Sequence, residues 1–247
     1  MYTKSDLLQH LFELGINANG VLKVHISYKS IGEVDGRGDT VLDALVEYMG
    51  AGLLVLPSHT WDNVRAANPV MDVLHTPSCV GALTELFRKR EGVYRSLHPT
   101  HSVAAIGIGA EDFVLGDECF DTPCAKNGSY YKLWERDAQV LLIGVNFSRN
   151  TIIHGFEEWE NVAVLEQEKS DYYVINHKGG RLYTPQYRHA APLGSETFTK
   201  LESPAMIQDI LHMGCFGDAT TRLMNAKPLR TLTAELLKDD PNYLLKY

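Results

Sequence analysis

Between Gln139 and Glu158 the chain reads QVLLIGVNFSRNTIIHGFEE, and few folds accommodate that order. Val140 to Val145 is a short apolar run, rich in β-branched residues and broken by a Gly, as a buried strand requires. A turn-forming stretch, Asn146 to Asn150, follows. Helical spacing then begins, with Asn150 as the expected N-cap of a helix starting at Thr151. A buried strand running through a tight turn into an amphipathic helix is the unit of an α/β sheet, and ligands collect at the carboxyl ends of such strands. His154 and Glu157, three apart, share one face of that helix. They supply an imidazole and a carboxylate to orient it, the makings of a general base near neutral pH. Read without its context, the same pair is a solvated face of an acidic surface helix with Glu157, Glu158 and Glu160.

The remaining chain fits this unit. Lys4 to Leu14 has helical spacing of Leu7, Leu8, Leu11 and Phe12, closed by Gly15, and reads as an amphipathic opening helix, not a signal peptide. Val21 to Ile26 (VLKVHI) is a strand leading through a Ser- and Gly-rich loop to a helix capped by Asp39 or Thr40. Leu53 to Pro57 is a second buried strand, ending in the polar cluster Ser58, His59, Thr60, Trp61 and Asp62. A helix is expected from Gly81 to Glu91, a strand from Val103 to Ile106, and another helix from Pro204 to Leu211. Val162 to Thr184 alternates as strands, with a hairpin turn at Lys178-Gly179-Gly180. The expected architecture is a single α/β/α domain over residues 1–247, with a central mixed sheet and an antiparallel β extension in the second half.

Composition removes several function classes. A net charge of -8 without a Lys/Arg stripe excludes general nucleic-acid binding and weakly favours cationic partners. No apolar stretch approaches the ~18 residues of a membrane helix, so a cytoplasmic chain is expected. The four cysteines have no Cys-x-x-Cys spacing and are expected as reduced thiols. His98 and His101 invite a metal, but Pro99 between them prevents one helix from presenting both, and no acidic third ligand adjoins, so no metal is expected. The chain lacks a phosphate-binding Gly-x-x-x-x-Gly-Lys motif and a Gly-x-Ser-x-Gly elbow; the latter counts against a hydrolase using Ser102 or Ser27 with His154.

Six blocks, in order, resemble the aminoglycoside 3-N-acetyltransferase family: VHISYKSIGEVDGRGDTVLDAL, LVLPSHTW, RSLHPTHSVAAIG, DTPCAKNGSYYKL, NTIIHGFEE and GCFGDATTRLMNA. The resemblance spans about residues 20 to 228. It implies acetyl transfer from acetyl-coenzyme A to the 3-amine of a 2-deoxystreptamine aminoglycoside, with His154 and Glu157 as the catalytic pair and Asn150 and Thr151 in the preceding turn. By the same resemblance His25, Ser27, Ser30, Ile31 and Gly32 lie along the coenzyme, and Arg95, His98, Thr100 and Ser102 line the same side. Asp62, Asp121 and Glu158 are expected, from charge, around a cationic acceptor. The chain departs from the family at Tyr28, Lys29, Cys124 and Lys126. Direct transfer in a ternary complex is expected, with the oxyanion held by backbone N–H groups of Ser30 to Gly32 or by the Thr151 hydroxyl. Acetylation of a non-antibiotic amine such as an amino sugar, and a non-catalytic coenzyme-A-binding protein, are the alternatives. Oligomeric state is left open, with a homodimer as the candidate.

Overall fold

The first helix, α1 (Lys4–Glu13), starts with a reciprocal cap: the Asp6 N–H donates to the Thr3 hydroxyl and the Thr3 N–H to the Asp6 carboxylate. VLKVHI forms β1 (Val21–Ile26), followed by α2 (Arg37–Tyr48), β2 (Leu53–Pro57), β3 (Val70–Asp72), α3 (Ala82–Phe87), β4 (Tyr94–Arg95) and β5 (Val103–Gly107). Then come α4 (Ala110–Val114), α5 (Ser129–Glu135), β6 (Gln139–Ile143) and α6 (Ile152–Trp159). The hairpin β7 (Tyr173–Ile175) and β8 (Arg181–Tyr183), α7 (Glu202–Ile207), the hairpin β9 (His212–Phe216) and β10 (Ala219–Asn225), and α8 (Ala226–Asp239) complete the order. The computed structural model describes residues 1–190 and 194–245.

Seven strands form one mixed sheet in the order β4-β5-β2-β1-β6-β10-β9. The central β2, β1 and β6 are parallel, with Leu22 of β1 facing Leu54 and Gln139, while β5 and β10 add on antiparallel. Helices cover both faces, as a parallel core needs. Leu22, Val24, Leu54, Leu56, Leu141 and Ile143 pack under α1, α2 and α3; Leu53, Val55, Val140 and Leu142 pack under α4 to α8. The expected α/β/α fold with a mixed sheet is what the chain adopts.

The expected β extension is a second sheet, β3-β7-β8, in which β7 and β8 are antiparallel and β3 joins parallel to β7. Its turn is tied by Asn176, whose side chain accepts from the N–H groups of Lys178 and Gly180. Some boundaries move. The helix α2 begins at Arg37 after the left-handed Gly36, ahead of the expected cap at Asp39 or Thr40. The last turn of the helix expected to reach Leu211 is given up, and His212 opens β9 instead. That edge strand is mostly exposed and carries no apolar run, so pattern alone does not reveal it.

Candidate active site

The carboxyl ends of β1, β2 and β6 converge on a cavity of about 570 Å³. From β1 and β2 come His25, Ile26 and Pro57; from just beyond β2, His59; from the β4–β5 turn, Thr100 and His101; from the β6–α6 turn and helix, Val145, Ser148, Arg149, Thr151 and His154. Trp61, Cys79, Val80 and Thr84 close one side, and Arg188, His189, Gly194 and Ser195 another. A second cavity, lined by Ser30, Gly144, Arg222 and Asp218 among others, shares Val145, Ser148 and Arg149 with the first.

His154 stands in the first turn of α6 with its ring over the cavity. Its Nδ1 lies 2.8 Å from Glu157 Oε2, and both side chains are largely buried, at 13% and 1% exposure. Nδ1–H donation to the carboxylate leaves Nε2 as the bare nitrogen. Burial raises the Glu157 carboxyl's pKa, and the hydrogen bond from His154 partly offsets that. The other Glu157 oxygen has no hydrogen-bond partner among the described residues. Helix α6 is not capped by Asn150. A 3-10 turn, Phe147 to Arg149, is inserted first and capped by Asn146, whose side chain accepts from the Ser148 N–H. Asn150 is fully buried, its amide turned to the Met224 sulfur at 3.7 Å, and Thr151 occupies the cap position.

A second imidazole–carboxylate pair lies alongside. His189 Nε2 is 2.7 Å from Glu158 Oε1, and the His189 ring stacks on that of His154 with centroids 4.2 Å apart. Burial lifts Glu158 to about 7 and pushes His189 well below its ordinary value. His25, His59 and His101 are likewise pushed well down by burial, which leaves a wall of neutral rings. Behind it is Lys23, fully buried on β1 with no hydrogen-bond partner for its amine, 5.5 Å from the Tyr130 ring centroid. Desolvation drives its pKa well down from the usual lysine range.

Several residues expected at the site have other partners or lie away from the cavity. Ile31 is fully buried in the apolar core under α1 to α3. Gly32, at φ +85°, lies where a Cβ would run into the Asp218 carboxylate, so its missing side chain makes room for Asp218. Ser27 and Ser30 bond each other through their hydroxyls at 3.0 Å, and of the two Ser30 lines the second cavity. Gly144, at φ +62°, lets that loop approach, since a Cβ there would collide with the Ser30 side chain. The N–H groups of Ser30 and Ile31 are used within their own turn, to Ser27 and Tyr28 carbonyls, which leaves Thr151 as the oxyanion donor expected from sequence that lines the cavity. Arg95 is buried and donates to the carbonyls of Ser58, Val73 and Thr76, tying the two sheets together; burial lowers it to about 9. Ser102 is buried against Ser58, and the His98 ring accepts the Thr100 and His101 N–H groups, so neither lines the cavity. Of the residues expected along the coenzyme, His25 and Thr100 line it.

The three acidic residues expected around the acceptor lie elsewhere among the described residues. Asp62 is paired with Arg65, Asp121 with Lys169 at 2.7 Å, and Glu158 accepts from the Thr122 hydroxyl, the Cys124 N–H and His189. None of the three lines the cavity. Sequence reasoning missed Arg188, His189 and Arg149, which no motif marks. It noted His59 only as part of a polar cluster, and His101 only as half of a His98/His101 metal candidate.

Cys124, Glu158 and His189 present ligand atoms within 4.8 Å of one another, a donor set that suits zinc. Both Glu158 oxygens are already hydrogen-bonded, and burial keeps the Cys124 thiol protonated. The grouping is thus complete as a hydrogen-bonded network.

A family profile described as aminoglycoside 3-N-acetyltransferase matches residues 24–238. The chain belongs to this family. It is therefore an acetyltransferase by descent, on a sheet and site built as above. It is 29% identical to the SPbeta prophage-derived aminoglycoside N(3')-acetyltransferase-like protein YokD of Bacillus subtilis, over 90% of this chain and 88% of that one. It is 25% identical to aminoglycoside N(3)-acetyltransferase VII of Streptomyces paromomycinus, over 91% and 88%. Among solved structures, the aminoglycoside acetyltransferase AAC(3)-IVa apoenzyme shares the fold with a TM-score of 0.84 at 24% identity, covering 100% of this chain and 92% of the other. No helix among the described residues is long and apolar enough to cross a membrane.

Proposed function

We propose that the chain transfers acetyl from acetyl-coenzyme A to an amine directly, with His154 as general base. The 2.8 Å contact between His154 Nδ1 and Glu157, with the bare Nε2 on the cavity side, carries this reading. An ammonium acceptor gives one proton to Nε2, and its nitrogen then forms the new C–N bond to the thioester carbonyl. The tetrahedral oxyanion is met by the Thr151 hydroxyl. On collapse the C–S bond breaks, the coenzyme leaves as thiolate and is protonated by the second N–H proton, and the imidazolium returns the first proton to solvent.

An acyl-enzyme finds little support. Burial raises the Cys124 and Cys79 thiols, and Ser102 bonds Ser58 and Arg95 but no imidazole among the described residues. The relatives' names point to N-3 acetylation of an aminoglycoside, and related structures are described with a gentamicin and with coenzyme A. A second reading, another kind of amine, is favoured by the cavity itself, whose described lining holds no carboxylate for a polycation. The test is release of free coenzyme A thiol with each substrate varied. Intersecting initial-rate lines and release that requires an amine are expected; parallel lines, or release without an amine, would point to an acyl-enzyme or a thioesterase.

A further inference from the structure

Acetyl transfer as described leaves one charged feature of the cavity without a task. Two guanidinium groups line it, Arg149 and Arg188, and no described lining residue is acidic. Arg149 is largely exposed and has Glu196 at 3.8 Å. Arg188 is partly buried, and no ion pair or side-chain hydrogen bond joins it to a described residue. The nearby acids are engaged elsewhere: Glu157 on His154, Glu158 on Thr122, Cys124 and His189, and Asp62 on Arg65. The surrounding imidazoles are held neutral by burial and compensate nothing.

We infer that Arg188 anchors an oxyanion on the acceptor, so that the acceptor class is a primary amine also bearing a carboxylate or phosphate. This rests on the acetyl-transfer reading above and names the substrate class for the same cavity. A partly desolvated guanidinium gains most from a planar or tetrahedral oxyanion, which it can grip with two parallel N–H donors. A polycation would instead set several ammonium groups against Arg188 with no carboxylate to offset them. Coenzyme A carries oxyanions too, but at the far end of the pantetheine arm from its thioester. Arg188 immediately precedes His189, whose ring lies 4.2 Å from that of His154, and its charge is felt at His101. It is placed at the reacting end.

The experiment compares thiol release with glucosamine, glucosamine 6-phosphate, muramic acid and gentamicin at saturating acetyl-coenzyme A, for wild type, Arg188→Gln and Arg188→Glu. Calorimetry follows coenzyme A and glucosamine 6-phosphate binding, and a thermal melt checks folding. The expected kcat/KM order places an oxyanion-bearing amine ~10-fold or more above glucosamine, with gentamicin lowest. Arg188→Gln should erase that preference at unchanged coenzyme affinity, and Arg188→Glu should move gentamicin upward. A wild-type preference for gentamicin overturns the inference. So does an Arg188→Gln protein that loses coenzyme A affinity while keeping its acceptor order, because the oxyanion is then the coenzyme's. If no amine is acetylated, the acetyl-transfer reading fails by itself. Binding of glucosamine 6-phosphate then decides the inference: weakening ~10-fold in Arg188→Gln supports it, and equal binding overturns it.

Discussion

Leu22 and Val24 point from β1 into the layer of α1, α2 and α3, while Lys23 and His25 point from the same strand into the layer that holds the cavity. The first pair meets only apolar neighbours and is fully buried. The second lies near Tyr130 and His59, and on the cavity side four buried polar atoms have no hydrogen-bond partner among the described residues: Lys23 Nζ, His25 Nε2, Asn150 Oδ1 and Glu157 Oε1. Unsatisfied buried polar groups cost stability and persist where something other than stability is selected. One face of the strand therefore supports the fold, and the other gives up stability for chemistry.

Substitutions on the two faces should differ in kind. Leu22→Ala should lose about 2–5 kcal/mol in urea unfolding, through lost burial and the cavity left behind, with acetyl transfer normal wherever the protein is folded. A small loss would mean that this face is not the supporting one. Lys23→Met should do the reverse and stabilise by about 1–3 kcal/mol at pH 7, because it removes an unpaired buried amine in favour of an apolar chain of similar shape. The sign with pH follows from the lowered folded pKa of Lys23. Between its lowered folded value and its unfolded value of about 10.4 the unfolded chain binds a proton that the folded one does not, so wild-type stability rises with pH across that window. The advantage of Lys23→Met should accordingly shrink as pH approaches 10; an advantage constant from pH 7 to 10 would contradict the lowered value.

Smaller effects sharpen the contrast within the cavity face. Glu157→Gln keeps the imidazole but loses its charged orienting partner, so kcat should fall ~10-fold with coenzyme affinity kept. A fall as large as that of removing the imidazole would shift the base role to Glu157. Glu158→Gln should have the least effect, read as pH dependence. A carboxyl whose folded pKa is raised to about 7 contributes stability below its unfolded value near 4.3, and this is lost as pH rises through 7. Relative to wild type, Glu158→Gln should gain stability between pH 5 and 8. A difference flat across that range would contradict the raised value.

The parts of this picture legible in the sequence are those written in local periodicity. β2 and β6 are almost wholly apolar, β1 is strand-forming with Lys23 and His25 set among apolar residues, and His154 and Glu157 meet because three residues on a helix is one face. Reading failed where distant chain decides. Ile31 and Gly32 look like a loop open to a coenzyme until the β9–β10 turn brings Asp218 against them. The second imidazole, His189, comes from an irregular segment 35 residues beyond His154 and is placed only by packing. Charge alone suggested an acidic pocket from Asp62, Asp121 and Glu158, but charge does not name partners, and each carboxylate has one nearby. Asn150 and Asn146 are equally good caps by residue type. The inserted 3-10 turn chooses between them.

The claim that the cavity face of β1 and α6 does the chemistry rests on His154. Its most direct measurement is the acetyl-transfer rate of a folded His154→Ala protein, set beside coenzyme A affinity by calorimetry on the same sample. The account predicts a rate lowered ~10²-fold or more with coenzyme affinity unchanged, since the imidazole acts on the acceptor's proton. Near-normal turnover by the folded variant would contradict it.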